Sequence, residues 1–121
     1  MANILIVDDS PTETHILSTI LEKHGFTIST ADSGEIGVEK AKTEKPDLIL
    51  MDVVMPGMNG FQAARQISSD PETGNIPIII VSTKDQETDR MWGLRQGAKD
   101  YVTKPAQEKE LMEKINALLS A

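Results

Sequence analysis

Three four-residue apolar runs punctuate the chain, Ile4-Leu5-Ile6-Val7, Leu48-Ile49-Leu50-Met51 and Ile78-Ile79-Ile80-Val81, and each leads straight into a polar turn. Four residues are too few for a buried helix, and an unbroken apolar run leaves no face for water. Such runs suit parallel strands covered on both sides. Two weaker strands, around Phe26-Thr27-Ile28-Ser29-Thr30 and Asp100-Tyr101-Val102-Thr103, mix apolar and polar positions in alternation, as expected at the two edges of one sheet.

Helical patterns fill the gaps. Ser10-Pro11-Thr12-Glu13 offers an N-cap, a proline at the first helical position and a capping-box glutamate; Ile16, Leu17, Ile20 and Leu21 then form an apolar stripe ending at Gly25. A second helix is predicted from near Ser33 to before Pro46, a third from about Met58 to Ser69, and a fourth from Glu87 to Gln96, stopping at Gly97. The fifth carries Leu111, Ile115, Leu118 and Leu119 on one face. Five βα units in succession predict an α/β fold: a doubly wound five-stranded parallel sheet, order 2-1-3-4-5, in a flavodoxin-like three-layer sandwich. No linker, repeat or low-complexity tract interrupts the pattern, so residues 1–121 are expected to form a single domain with no output domain attached.

Leu, Ile, Val and Phe make up about a quarter of the 121 residues, enough for a core. A chain of this length needs no disulfide or structural metal to hold it together. It has no cysteine, which excludes zinc ribbons and thiol chemistry. The net charge of −7 and the scarcity of aromatic residues argue against direct nucleic-acid binding. No apolar run approaches the roughly 18 residues needed to span a bilayer, and no basic segment leads into a signal-peptide core. The expectation is a cytoplasmic monomer with no membrane insertion.

In a doubly wound sheet the ligand site lies beyond the carboxyl ends of the strands, where the winding reverses, here between the first and third strands. Asp8-Asp9 end the first strand and Asp52 the third; Ser82-Thr83 end the fourth, and Lys104-Pro105 follow the fifth. Three neighbouring carboxylates repel one another unless a cation joins them. All-oxygen ligands without His or Cys favour a hard ion, and a shallow site that keeps several waters suits Mg²⁺ better than Ca²⁺. Metal there would attract a phosphoryl group. An Asp carboxylate can then act as nucleophile, with Mg²⁺ and Lys104 neutralising the equatorial oxygens and Ser82 donating to one of them.

This set resembles the response-regulator receiver domains of the CheY type over essentially the whole chain. The resemblance rests on Asp8-Asp9, on Asp52 followed by Met55-Pro56-Gly57 and Gly60, on Ser82 thirty positions after Asp52, and on Tyr101-Val102-Thr103-Lys104-Pro105. It implies that Asp52 accepts a phosphoryl group from a histidine kinase, that Asp9 and Asp52 ligate Mg²⁺, that Asp8 assists through water, and that the Val54 carbonyl completes the protein ligands. It also implies that Ser82 and Tyr101 form a switch pair, that Lys104 clamps the phosphoryl group, and that the peptide before Pro105 is cis. Output is expected through a downstream protein target on the face of the fourth helix, fifth strand and fifth helix, where Tyr101 and Trp92 are placed. A role as a phosphate sink is the other outlet. Asp8-Asp9-Ser10-Pro11-Thr12-Glu13, Glu22-Lys23-His24-Gly25 and the stretch from Thr83 to Gly93 further resemble the single-domain regulators of type IV pilus twitching systems, with their chemotaxis-like signalling. On this reading the chain is not an enzyme beyond catalysing its own phosphorylation and dephosphorylation.

Two positions depart from the common receiver pattern. Thr83 stands where Ala or Gly is usual and should narrow access to Asp52; Val54, two residues after Asp52, offers no polar group to a hydrolytic water. The same Val54 argues against a phosphohydrolase of the aspartyl-phosphate type, which needs an acid there. A flavin binder is disfavoured because Asp8-Asp9 would repel its phosphate. The remaining alternative is a phosphorylation-independent interaction module of receiver fold, against which the intact Asp9, Asp52, Ser82 and Lys104 set speaks. His15 and His24 read as surface helix residues, the methionines as core filler apart from Met55 in its turn, and Trp92 as either packing or an exposed anchor.

Overall fold

The computed structural model describes residues 2–120. Its elements alternate throughout: β1 (Asn3–Val7), α1 (Pro11–Lys23), β2 (Thr27–Ala31), α2 (Gly34–Glu44), β3 (Leu48–Met51), α3 (Gly60–Ser69), β4 (Ile78–Ser82), α4 (Glu87–Arg95), β5 (Asp100–Thr103) and α5 (Glu108–Leu119). All strand pairs are parallel and the order is β2-β1-β3-β4-β5, as the periodicity predicts.

The unbroken apolar runs become intelligible once the sheet is built, because successive side chains in a strand point to opposite faces. Leu5, Val7, Ile49, Met51, Ile78 and Ile80 pack on one face, under Val38 and Ala41 of α2 and Ala63, Ala64 and Ile67 of α3. Ile4, Ile6, Leu48, Leu50, Ile79 and Val81 pack on the other, against Leu17 and Leu21 of α1 and Leu111, Met112 and Ile115 of α5. Full burial of each such side chain contributes about 1.5–3 kcal/mol. This double cover holds the strand ends rigidly in register, and the functional side chains project from those ends.

Several local expectations are corrected. The third helix begins at Gly60 rather than near Met58: Asn59 accepts from the Gln62 amide while the Gln62 side chain accepts from the Asn59 amide, a reciprocal cap that fixes the start. At α1, Ser10 Oγ accepts from the Glu13 amide, but the Glu13 carboxylate does not return the bond and turns toward Lys104 instead. Ile16 is exposed, because the stripe centred on Leu17 and Leu21 leaves it on the flank. Met91 is exposed too, whereas Met51 and Met112 are core residues as expected; Met55, assigned to its turn and not to the core, is buried in the core as well. Although β5 is an edge strand, Tyr101 and Val102 are both buried, one on each face. No helix among the described residues is long and apolar enough to cross a membrane.

Candidate functional site

Backbone hydrogen bonds carry the four strand ends to one place. The Asp8 amide donates to Ala31 O and the Asp52 amide to Val7 O, which sets Asp8 and Asp52 side by side across the point where the winding reverses. The Lys104 amide donates to Ser82 O at 2.8 Å, so β5 delivers the lysine to the same end, and the peptide between Lys104 and Pro105 is cis. Gly60 closes the site from below, its amide donating to Val53 O at 2.9 Å. A Cβ at Gly60 would lie 1.8 Å from the Asp52 carbonyl oxygen, so only glycine lets α3 start this close to the strand end.

One carboxylate oxygen from each of Asp8, Asp9 and Asp52 lies within 4.8 Å of the other two. Asp8 and Asp52 are buried and Asp9 is exposed. Lys104 Nζ donates to Asp8 Oδ2 at 2.9 Å and to Asp52 Oδ1 at 3.4 Å, and stands 4.0 Å from Glu13 Oε2. Burial, followed by the Asp8 charge, raises the Asp52 carboxyl above the usual carboxylate range, and Lys104 offsets this only in part. Burial also works against the Lys104 charge, but the bond to Asp8 and the charges of Asp52, Asp8 and Glu13 outweigh it and lift the ammonium above its ordinary value. Negative charge at the site is thus undercompensated by protein cations. Three convergent oxygens of this kind fit a hard divalent ion.

Ser82 is fully buried at the end of β4, where its Oγ accepts from the Lys84 amide at 3.1 Å. Tyr101 is also buried, and its hydroxyl donates to Lys84 O at 2.7 Å. Both partners of the expected switch pair therefore meet at the same loop, that between β4 and α4. Val54 is 60% exposed beside Asp52, and Thr83 is exposed. Trp92, read as either packing or an exposed anchor, is 49% exposed and lines a groove with Asn59, Phe61, Gln62, Arg65 and Gln96, on the α3 side of α4.

Sequence reasoning missed two residues around this site. Glu13 was absorbed into a helix cap, and only its position in the first turn after Asp8-Asp9 hinted at proximity. Glu35, in the first turn of α2, accepts from the Met58 amide at 3.3 Å and so steadies the loop that carries Val54; no local pattern signals a contact across 23 positions.

The site thus combines a buried strand-end aspartate, two acidic neighbours and a facing lysine on a 2-1-3-4-5 sheet. The response regulator receiver domain model matches residues 4–116, and the chain belongs to that family. Protein PilH of Pseudomonas aeruginosa is 61% identical over 120 residues, which span 99% of each chain. Among solved structures, Vibrio cholerae chemotaxis protein CheY4 superposes with a TM-score of 0.90 at 28% identity, covering 98% of each chain. The receiver domain of the sensor histidine kinase PA1611 from P. aeruginosa, described with a magnesium ion coordinated in its active site cleft, gives a TM-score of 0.92 at 28% identity, covering 99% of this chain and 98% of that one.

Proposed function

We propose that the chain is a phosphoryl-accepting switch in which Asp52 is modified by a histidine kinase. The observation that carries this reading is the placement of Lys104 Nζ between Asp8 and Asp52, within a cluster of three convergent carboxylate oxygens. An oxygen of Asp52 attacks the phosphorus of a phosphohistidine, the P–N bond breaks, and the imidazole nitrogen leaves with the electron pair and takes a proton from solvent. Asp9, Asp52 and the Val54 carbonyl would hold Mg²⁺, with Asp8 assisting through water, and the bound ion would supply the counter-charge that the transferring oxygens need. Lys104 follows a phosphoryl oxygen as a mobile cation, and the Ser82 hydroxyl turns from the Lys84 amide to donate to another.

That movement of Ser82 is coupled to Tyr101, since both hold the loop after β4 through Lys84. Signalling then shifts a pre-existing equilibrium at α4, β5 and α5, where a downstream protein docks, or the chain drains phosphate from the kinase without a target. The 61% identity to P. aeruginosa PilH over 99% of each chain supports a role in type IV pilus twitching motility.

Phosphotransfer from a histidine kinase in the presence of Mg²⁺ tests the reading. The parent should be labelled and Asp52→Asn should not. Undiminished labelling of that variant, or label mapped to Asp8 or Asp9, overturns the assignment.

A further inference from the structure

We propose that Glu13 is a positioning residue that receives Lys104 when a divalent cation occupies the Asp8, Asp9 and Asp52 carboxylates. The inference rests on the metal reading above and goes beyond it, because Glu13 belongs to none of the motifs that define the site.

Lys104 and a metal ion compete for the same oxygens. The ammonium is bonded to Asp8 at 2.9 Å and to Asp52 at 3.4 Å, and those two side chains supply two of the three convergent carboxylates. Two cations sharing such a pocket repel, so the lysine gives up part of its bonding as metal enters. Its ammonium is largely buried, and a buried charge without a partner is costly. Among the described residues, Glu13 is the remaining carboxylate within 4.0 Å of Lys104 Nζ. At that distance the contact is loose at rest and gains value only when the other two partners are taken.

The local structure holds Glu13 ready. Asp8 Oδ1 accepts from the Ser10 amide at 2.9 Å, and Ser10 Oγ accepts from the Glu13 amide at 3.3 Å. A continuous run of hydrogen bonds thus ties the backbone of Glu13 to the carboxylate that Lys104 leaves. Because the Glu13 side chain is spared from capping its own helix, its carboxylate stays free to face the lysine.

Calorimetric titration of the full chain with Mg²⁺ alone tests this in a double-mutant cycle. Glu13→Gln keeps the length of the side chain and a residue suited to the first helical turn. In the parent background it should weaken Mg²⁺ binding by about two- to fivefold, the range of a partly exposed ion pair. In Lys104→Met, which keeps the aliphatic stem, and in Lys104→Gln, that loss should disappear, since no ammonium remains to be received. Equal losses in all three backgrounds would mean that Glu13 acts only through its field, and would overturn the proposal, as would no loss in the parent. A parent that binds no Mg²⁺ would overturn the metal reading and this inference together, so the two failures are distinguishable.

Discussion

The Tyr101 hydroxyl reaches across the end of the sheet to donate a 2.7 Å hydrogen bond to the Lys84 carbonyl, while the Lys84 amide donates to Ser82 Oγ. One residue of the loop after β4 is therefore held from both sides, by the two side chains assigned to the switch. Gly93 of α4 makes this possible: a Cβ there would meet Ile80 Cδ1 at 2.7 Å and the Tyr101 ring at 3.3 Å. The absence of a side chain at position 93 lets α4 lie close over the ring and keeps it buried.

Tyr101 is the single tyrosine of the chain, so its ionisation is read directly from phenolate absorbance. Burial raises its pKa above 10.0, reinforced by the charges of Asp89, Asp52 and Asp85, and the nearby Ser82 hydroxyl opposes the shift. The fold favours the neutral phenol. Its contribution to stability is complete below the unfolded value of 10.0 and is lost as pH rises through the folded value. The titration midpoint of the native protein should lie above that in denaturant; a midpoint equal to the denatured one would mean that the ring is outside the core.

Gly60→Ala should damage both the fold and the site. The new Cβ would meet backbone atoms, Asp52 O at 1.8 Å and Asp52 C at 2.7 Å, which cannot swing aside as a flexible side chain would. Relief requires α3 to shift away from the strand end, at a cost of about 3 kcal/mol, toward the upper end for overpacking. The urea midpoint should fall accordingly, and Mg²⁺ affinity with it, because Asp52 moves. An unfolding free energy within about 0.5 kcal/mol of the parent, the usual spread for harmless surface changes, would contradict the close approach.

Residues whose role follows from their place along a strand were legible in the sequence. Asp8, Asp52 and Ser82 each sit one step beyond a short apolar run and Lys104 one step beyond the mixed strand β5, and the strand order then determines which ends are adjacent. The same logic assigned the sheet order, since the unbroken apolar runs mark the three central strands. What stayed hidden depends on rotamers and on approach between distant elements. The Glu13 carboxylate could return a capping bond or face Lys104, and both conformations satisfy the same local pattern. Trp92 lies next to Gly93 on a short helix, and which neighbouring helix it faces depends on how α4 is rotated over the sheet. That rotation follows from the contact of Gly93 with Ile80 and Tyr101, which no periodicity encodes.

The lifetime of the phosphorylated state should depend on Val54. Hydrolysis of an acyl phosphate needs a water in line with the bond that breaks, and a polar side chain two residues after the acceptor can hold it there. Val54 is 60% exposed, so its isopropyl group neither seals the site nor offers a hydrogen bond to such a water. Val54→Asn adds a donor and an acceptor at that place without touching the core. One hydrogen bond formed best in the transition state lowers the barrier by about 1 kcal/mol, a rate increase of roughly fivefold. Thr83 follows Ser82 at the same end of the sheet and is also exposed, and a branched side chain there is expected to narrow the approach to Asp52. The comparison therefore belongs in the native and Thr83→Ala backgrounds, with decay of the phosphorylated protein followed after the donor is removed. If Val54→Asn decays no faster than its parent in either background, the positioning of water beside Val54 does not limit hydrolysis, and some other step sets the lifetime.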